Sequence, residues 1–242
     1  MNEVIRQLYD RKSVRVYTDE LIDESVVQEI LQAAAMAPTA GNQQFYTIIR
    51  VTDQGLLDRL AESCDHQPFI ANSKLTLVFC ADCRKWFKAF SELGCEPREP
   101  GPGDLLLAVD DALIAAQNAV VAAESCGIGS CYIGDIMENI EEQRDILGLP
   151  EHVFPAAMLV FGYPTEGQKK RPKPPRADMR YIVHENRYME PDSADLQGMF
   201  GKGKGEEEYR EWMKAFCERK YNSDFAREMS RSVREYLKQF KG

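Results

Sequence analysis

The segment DLLLAVDDALIAAQNAVVAA, residues 104–123, is the longest apolar stretch of the chain. Its apolar side chains recur with helical spacing from Leu105 to Ala123, which predicts a long helix at the centre of the fold. Asp104 is the expected N-cap of this helix. The many alanines permit close approach of another element, so the helix either lies in the core or packs on a partner subunit.

Apolar segments on either side of this helix predict three strands, over residues 45–52, 75–80 and 156–163. The third is almost continuously apolar, which is typical of a central strand buried on both faces. Helical spacing predicts further helices over residues 3–9, 24–35, 54–64 and 140–147. Taken alone, strands that alternate with helices favour a doubly wound parallel sheet. The glycines around residue 128 do not match a dinucleotide fingerprint, which excludes a Rossmann fold.

Length and composition favour one domain over residues 1–242. The segment at about 84–103 mixes prolines and glycines with charges and aromatics, and we expect it to be a mobile excursion or lid. The segment at about 206–242 predicts a charged helical extension. Its aromatic side chains have roughly helical spacing and require a covering surface, for which a partner subunit is one candidate.

A net charge of -9 and a pI near 5.0 argue against nucleic acid or an anionic membrane as a partner. The sequence shows no obvious membrane span and begins without a signal-peptide core, so we expect a cytoplasmic protein. The seven scattered cysteines are expected to be reduced, because their number is odd and their spacing suggests no disulfide framework. Cys80, Cys83, Cys126 and Cys131 are expected in the core, and no metal site is predicted.

Against this acidic background, Arg11-Lys12-Ser13-Val14-Arg15-Val16-Tyr17 places three cations and a hydroxyl within five residues. Guanidinium and ammonium groups suit a small anion such as a phosphate. The alternation of the segment predicts that Val14 and Val16 share one face, opposite Arg15. The proline-rich segment 169–176 offers cations for a second half of a phosphate cradle. For both segments the alternative is a solvated surface.

A loop rich in small and amide side chains, residues 37–44, precedes the first strand. It is either a plain turn or a set of donors and acceptors for a heteroaromatic ring. The glycine-rich break at 201–205 lacks the spacing of a P-loop and is expected to be flexible.

Taken together, these motifs resemble the FMN-dependent nitroreductase and flavin reductase family, in particular its NAD(P)H-dependent oxidoreductase branch. The motifs are Arg11 to Arg15, the loop Ala37 to Asn42, Gln67 before the second strand, and Tyr132-Ile133-Gly134-Asp135, followed by the runs 171–176 and 183–186. The resemblance implies an α+β fold of three layers, with a mixed, mainly antiparallel sheet flanked by helices. It also implies an intertwined homodimer with FMN at the subunit interface, and this replaces the parallel sheet favoured by the pattern alone.

The resemblance further implies which side chains contact FMN. The phosphate group would be bound by Arg11, Lys12, Ser13, Arg171 and Lys173, with Arg15 near the phosphate or the pyrimidine edge. The isoalloxazine and ribityl groups would contact Thr39, Ala40, Gly41, Asn42 and Gln67, and the main chain of Ile133, Gly134 and Asp135 would lie by N5. The chain departs from the family at Thr39-Ala40-Gly41, where several serines are common, and at Asp135, where a second glycine is common.

The activity implied is hydride transfer from NADH or NADPH through FMN to a nitroaromatic, quinone or flavin acceptor, in a ping-pong cycle without a catalytic side chain. Two alternatives remain at this point. One is a flavin-binding sensor or storage protein, and the other is a different reduction on the same scaffold, such as dehalogenation or reduction of an activated alkene. The sequence does not decide between NADH and NADPH, although the 201–205 segment and the pair Arg219-Lys220 are candidates for contact with a 2′-phosphate.

Overall fold

The computed structural model describes residues 1–242 and contains eleven α-helices and four β-strands. The helices are α1 Glu3–Asp10, α2 Glu24–Ala35, α3 Gln54–Ser63, α4 Pro68–Ala71, α5 Arg84–Glu92, α6 Pro102–Ser125, α7 Ile140–Leu147, α8 Glu166–Lys170, α9 Ser193–Phe200, α10 Glu206–Lys220 and α11 Asp224–Leu237. The strands are β1 Tyr46–Val51, β2 Leu75–Asp82, β3 Gly129–Ile133 and β4 Val153–Gly162.

The four strands form one sheet in the order β1-β2-β4-β3, and every neighbouring pair is antiparallel. The parallel sheet favoured by the strand and helix pattern alone is therefore wrong, whereas the antiparallel α+β arrangement implied by the family resemblance is confirmed. All ten residues of β4 are buried, as predicted for a central strand. The sequence pattern did not predict the relative direction of the strands, because apolar runs of this kind are similar in parallel and antiparallel sheets.

The sheet has helices on both faces, and the side chains of each strand alternate between two apolar clusters. Leu77 and Phe79 of β2 belong to the cluster that contains α2 and α6. Val78 and Cys80 belong to the opposite cluster, which contains α3 and residues of α7. The period of two along a strand thus produces a three-layer fold.

Helix α6 lies against the sheet through its alanines, which are fully buried at Ala108, Ala112, Ala115, Ala116, Ala119 and Ala123. The alanine face is therefore in the core of this chain. Helix α6 is long and apolar enough to cross a membrane, although the sequence led us to expect no such stretch. In the structure it packs on the sheet, as the core helix of a folded domain does. Its opposite face exposes Leu106, Leu107, Leu113 and Ile114.

Two local expectations, on the N-cap of α6 and on the burial of Cys126, are corrected by the structure. Helix α6 begins at Pro102, so Asp104 is not the N-cap; it is a first-turn residue whose carboxylate accepts the Gly101 N–H at 2.8 Å. Proline suits this start because its missing N–H would have no helical partner there. The 84–103 segment contains a nine-residue helix, α5. Cys126 is exposed because it follows the last turn of α6, whereas Cys80, Cys83 and Cys131 are buried as expected.

The chain divides into two compact units. The first comprises residues 1–171 and 228–242, and includes the sheet. The second comprises residues 172–227 and contains α9 and α10. At the end of the first unit, Tyr236 and Phe240 are buried, and the Tyr236 ring packs edge-on against Phe154. These two members of the predicted aromatic stripe are therefore covered by their own chain.

Candidate functional site

The cationic segment that follows α1 lies along the outer edge of β3. The Val14 N–H donates to the Ser130 carbonyl at 3.0 Å, and Ser13 forms a bridge with Ser130. Val14 is buried against Gly129, where an added Cβ would lie only 2.5 Å from the valine side chain. Of the two valines predicted to share a face, only Val14 is buried; Val16 is exposed, because the pairing with β3 covers only the start of the segment.

Two buried polar atoms at this edge have no hydrogen-bond partner, the Arg11 Nε and the Ser130 Oγ. Burying a donor without a partner costs about 1–3 kcal/mol, so such atoms indicate a place for a ligand. An anion is the matching ligand, since the arginine can only donate and the serine hydroxyl can also donate. The donors present at this edge therefore fit a phosphate group.

Lys12 connects this edge to the second cationic segment. Its ammonium donates to the main-chain carbonyls of Lys169, at 2.6 Å, and Arg171. Lys12 and Lys169 also line a cavity of about 310 Å³ beside Gly129. The structure thus places Arg171 close to Lys12, as the phosphate-cradle hypothesis requires. Lys173 belongs to the second compact unit, residues 172–227.

Arg15 and Gln67 are connected through helix α4. The Arg15 guanidinium carbon lies 5.8 Å from the centre of the Phe69 ring. Gln67 is the N-cap residue of α4, and its side-chain amide donates to the Cys64 carbonyl at 2.8 Å. These contacts bring Gln67, a predicted contact of the isoalloxazine and ribityl groups, next to the cationic segment.

The end of β3 completes this group. Ile133 is buried, and Gly134 is exposed at the start of a 3-10 turn, Asp135–Met137. Burial raises the pKa of the Cys64 thiol to about 12, and the nearby charge of Asp135 contributes to the rise. Asp135 therefore lies close to the residues before Gln67. We call the set Arg11, Lys12, Ser13, Arg15, Gln67, Ile133, Gly134, Asp135 and Arg171 the cationic cluster.

A buried acid follows this turn. Glu138 is 6% exposed, and its Oε1 atom has no hydrogen-bond partner. Burial, with further contributions from the charges of Asp135, Asp65 and Glu228, raises its pKa from 4.5 to about 7. A carboxyl group that titrates near neutrality thus lies three residues from the cationic cluster.

The remaining predicted residues, Thr39 to Asn42, belong to a second group that we call the 39–45 loop. The Ala40 N–H donates to one carboxylate oxygen of Asp111 at 2.9 Å, and the Phe45 N–H donates to the other at 3.1 Å. The Trp86 indole N–H donates to the Gln43 carbonyl at 2.6 Å. The loop is therefore attached to the middle of α6 and to α5.

A single chain does not bring the 39–45 loop to the cationic cluster. The loop is bonded to Asp111, whereas Lys12 shares a cavity with Glu124. These two α6 residues are 13 positions apart, or about 20 Å along the helix axis. The predicted residues form two separate groups on one protomer.

The second compact unit has a basic cavity of its own, of about 650 Å³. Its lining includes four cations, Arg176, Arg180, Lys202 and Lys204, and a single carboxylate, Asp178. The Lys204 ammonium lies 5.2 Å from the centre of the Trp212 ring. Two lysines of the glycine-rich break thus lie beside aromatic surface within a cavity that suits an anion.

Sequence reasoning missed Asp111, Trp86, Ser130 and Glu138. Asp111 could have been identified from the sequence, because it shares the apolar face of α6 with Ala108 and Ala115. A charge on a buried face needs a hydrogen-bond partner. The other three had none, since their roles depend on contacts distant in sequence.

Comparison with known proteins gives a consistent result. Residues 8–163 match the model of the Nitroreductase family. The chain is 32% identical over 240 residues to the FMN reductase [NAD(P)H] of Bacillus subtilis, covering 98% of this chain and 91% of that protein. It is 34% identical over 189 residues to the oxygen-insensitive NADPH nitroreductase of Salmonella typhimurium, covering 78% and 75%.

Solved structures agree with these matches. The fold is similar to the NADPH:FMN oxidoreductase of Vibrio harveyi, solved in complex with NAD+, with a TM-score of 0.82, 26% identity and 98% of each chain covered. It is similar to the NfrA1 nitroreductase of B. subtilis, with a TM-score of 0.83, 26% identity and 98% of each chain covered. By the extent of these matches, this chain belongs to the nitroreductase family.

Proposed function

We propose that this protein is an FMN-dependent oxidoreductase that transfers hydride from NADH or NADPH to a nitroaromatic, quinone or flavin acceptor in a ping-pong cycle. The observation that carries the proposal is the cationic cluster, where Arg11, together with Ser130 of the adjacent strand β3, leaves a buried donor unpartnered. The similarity to relatives that include an FMN reductase and a nitroreductase supports the choice of cofactor and reaction.

The residues of the cationic cluster would hold the cofactor. Arg11, Ser13 and Arg171 would bind its phosphate, and Lys12 fixes the segment that carries Arg171. FMN, when bound, supplies the two-electron redox chemistry of the reaction. Because hydride transfer needs no protein nucleophile, we assign no catalytic side chain.

Arg15 and the main chain around Gly134 would orient and polarise the flavin ring. Arg15, above Phe69, would place a positive charge at the phosphate or the pyrimidine edge of the ring. The main-chain amides around Gly134 would lie beside N5, because this glycine is exposed at the end of β3. Donor and acceptor would use the same open face in turn, which is the basis for the ping-pong order.

We further propose a homodimer with FMN at the interface. Helix α6 exposes several leucines. The 39–45 loop is bonded to the middle of the same helix, and the cavity lined by Lys12 lies near its C-terminal end. Packing two copies through these leucines would bring the loop of one protomer towards the cationic cluster of the other. Both groups of predicted residues would then serve one site.

The basic cavity of the second unit is the proposed contact for the anionic part of the pyridine nucleotide donor. Its four cations and the adjacent Trp212 suit a phosphate next to an aromatic base. The seven free thiols suit a reducing compartment, and we place the enzyme in the cytoplasm.

Anaerobic mixing tests the proposed reaction. Adding NADH or NADPH to the FMN-loaded protein should rapidly bleach the visible flavin absorption, and a nitroaromatic or a quinone should restore it. Failure of both donors to bleach the flavin would contradict the proposal and favour a sensor or storage protein. Bleaching that only a halogenated compound or an activated alkene reverses would indicate a different reductase.

A further inference from the structure

Asp111 is a buried carboxylate that the proposed chemistry does not use. It is 2% exposed and lies among the alanines of α6. An ionised carboxylate in such surroundings is strongly unfavourable unless hydrogen bonds compensate for the lost water. The two N–H groups that compensate for it come from Ala40 and Phe45, 71 and 66 residues away in sequence. The carboxylate therefore holds both ends of the 39–45 loop.

The conformation of the loop explains why it needs such an anchor. Gly41, Asn42 and Gln44 have φ values of 55°, 57° and 52°, in the left-handed region. For residues other than glycine this region costs on the order of 1–3 kcal/mol each, so it persists only where surrounding contacts enforce it. Asp111 supplies two such contacts, and Trp86 supplies another at the Gln43 carbonyl. Within the loop, the Gln44 N–H also donates to the Thr39 hydroxyl oxygen at 3.2 Å.

We infer that Asp111 is a positioning residue, which holds the 39–45 loop in the shape that presents Thr39 to Asn42 to the flavin. The inference rests on the proposed function for its flavin part. A carboxylate is required at this position because it accepts from two N–H groups and carries no donor. The nearly isosteric asparagine would keep one acceptor and turn its amide NH₂ towards the other N–H.

Trp86 offers a probe of loop order that needs no flavin. The chain has two tryptophans, so a Trp212→Phe parent leaves Trp86 as the sole reporter. In this parent we compare Asp111→Asn with Asp58→Asn, a control with the same charge change at an exposed position of α3. Without flavin, Asp111→Asn should raise acrylamide quenching of Trp86 and speed amide exchange of residues 39–45 about tenfold. Asp58→Asn should change neither.

The Asp111→Asn variant should bind FMN about tenfold more weakly than the parent, and Asp58→Asn should bind FMN as tightly as the parent does. Unchanged quenching and exchange would overturn the inference, and so would a loosened loop with unchanged FMN affinity. Failure of the parent to bind FMN would instead refute the proposed function, while the flavin-free measurements would still decide whether Asp111 holds the loop.

Should Asp111→Asn not fold, Asp111→Glu takes its place, because glutamate keeps both acceptor oxygens but moves them by one methylene. This variant should loosen the loop and weaken FMN binding by smaller factors than those expected for asparagine. A folded Asp111→Glu protein with the amide exchange and FMN affinity of the parent would overturn the inference.

Discussion

At the residue scale, two buried polar atoms without a hydrogen-bond partner lie at the β3 edge that carries the cationic segment. Arg11 and Ser130 each bury a polar atom without a hydrogen bond. Leaving such groups unsatisfied costs about 1–3 kcal/mol each, which an anionic ligand would recover. A ligand that binds only the folded state adds about 2.7 kcal/mol of stability at a concentration 100 times its Kd. Bound FMN should therefore both occupy and stabilise this edge of β3.

Arg15 separates a flavin contact from a solvated surface residue. In Arg15→Gln, loss of a charge-assisted contact worth about 1.5–3 kcal/mol should weaken FMN binding roughly ten- to hundredfold. The stability of the flavin-free protein should change little, because the side chain is exposed. Titration of both flavin-free proteins with FMN measures the ratio.

The matched control for Arg15 is Arg59→Gln. Arg59 is a surface arginine of α3 that pairs with Asp145 at 2.6 Å. A surface pair of this kind contributes about 0–1 kcal/mol, so this variant should bind FMN as the wild type does. Equal FMN affinity in wild type and Arg15→Gln would show that Arg15 is a solvated surface residue that does not contact FMN.

Glu138 should make stability depend on pH in a direction opposite to that of a paired carboxylate. Its pKa is raised from 4.5 in the unfolded chain to about 7 in the folded one, so its protonated form favours folding. This contribution is fully present below about pH 4.5 and is lost as the pH rises through 7. In Glu138→Gln the neutral amide avoids the loss, and we expect a gain of about 1–3 kcal/mol over wild type at pH 8.

Denaturant unfolding of both proteins between pH 4.5 and pH 8 measures this effect. The two curves should converge at the acidic end and separate as the pH rises. Glu142→Gln, at an exposed position of α7, makes the same charge change and serves as the control. A pH-independent difference between wild type and Glu138→Gln would show that the side chain is not a buried titrating group.

At the scale of secondary structure, α11 is hydrogen-bonded to the start of α7 through a network of polar side chains. Ser232 is fully buried, donates to the Glu228 carboxylate at 2.8 Å and accepts the Ile140 N–H at 3.1 Å. The bonds from Arg231, and then that from Ser232, hold the pKa of Glu228 at about 2. Glu228 in turn accepts the Asn139 N–H. The network caps α7 with side chains that lie about 90 residues away in sequence.

Removing the Ser232 hydroxyl should therefore destabilise the fold. Ser232→Ala leaves the buried Ile140 N–H without its acceptor, and we expect a loss of about 1–3 kcal/mol in the free energy of unfolding. Ser91→Ala, on the exposed surface of α5, is the control and should cost little. Equal urea midpoints for wild type and Ser232→Ala would show that the network does not hold α11.

The helices and strands were largely predictable because their apolar periods are local properties of the sequence. Helix α7 was predicted at its observed bounds, and the burial of β4 followed from its apolar run. The partners of Asp111 and the buried state of Glu138 were not predictable, because each depends on residues brought together by the fold. The cationic segment was identifiable from composition, but its attachment to Ser130 was not.

At the scale of the whole molecule, we expect the exposed apolar face of α6 to pack against a second copy of the chain. Leu107 and Ile114 are 48% and 41% exposed and lie seven residues apart, on one side of the helix. We expect the wild type to have twice the mass of the 27.5 kDa chain by light scattering. The double variant Leu107→Glu and Ile114→Glu should be monomeric and should lose most of its FMN affinity.

Leu93→Glu is the control for this experiment, since Leu93 is 81% exposed at the end of α5. It should remain dimeric and bind FMN. A wild-type monomer that binds FMN fully would contradict the interface site, and a double variant that stays dimeric would place the interface elsewhere on the molecule.

The cationic cluster should recognise the phosphate of FMN, and titration of the flavin-free protein with FMN and with riboflavin measures this recognition. The two ligands share the ring and the ribityl chain and differ only in the phosphate. Two or more charge-assisted hydrogen bonds to that group, each contributing about 1.5–3 kcal/mol, should make FMN bind at least about a hundredfold more tightly. Equal affinities for FMN and riboflavin would show that the cluster does not recognise the phosphate, and no binding of either would refute a flavin site.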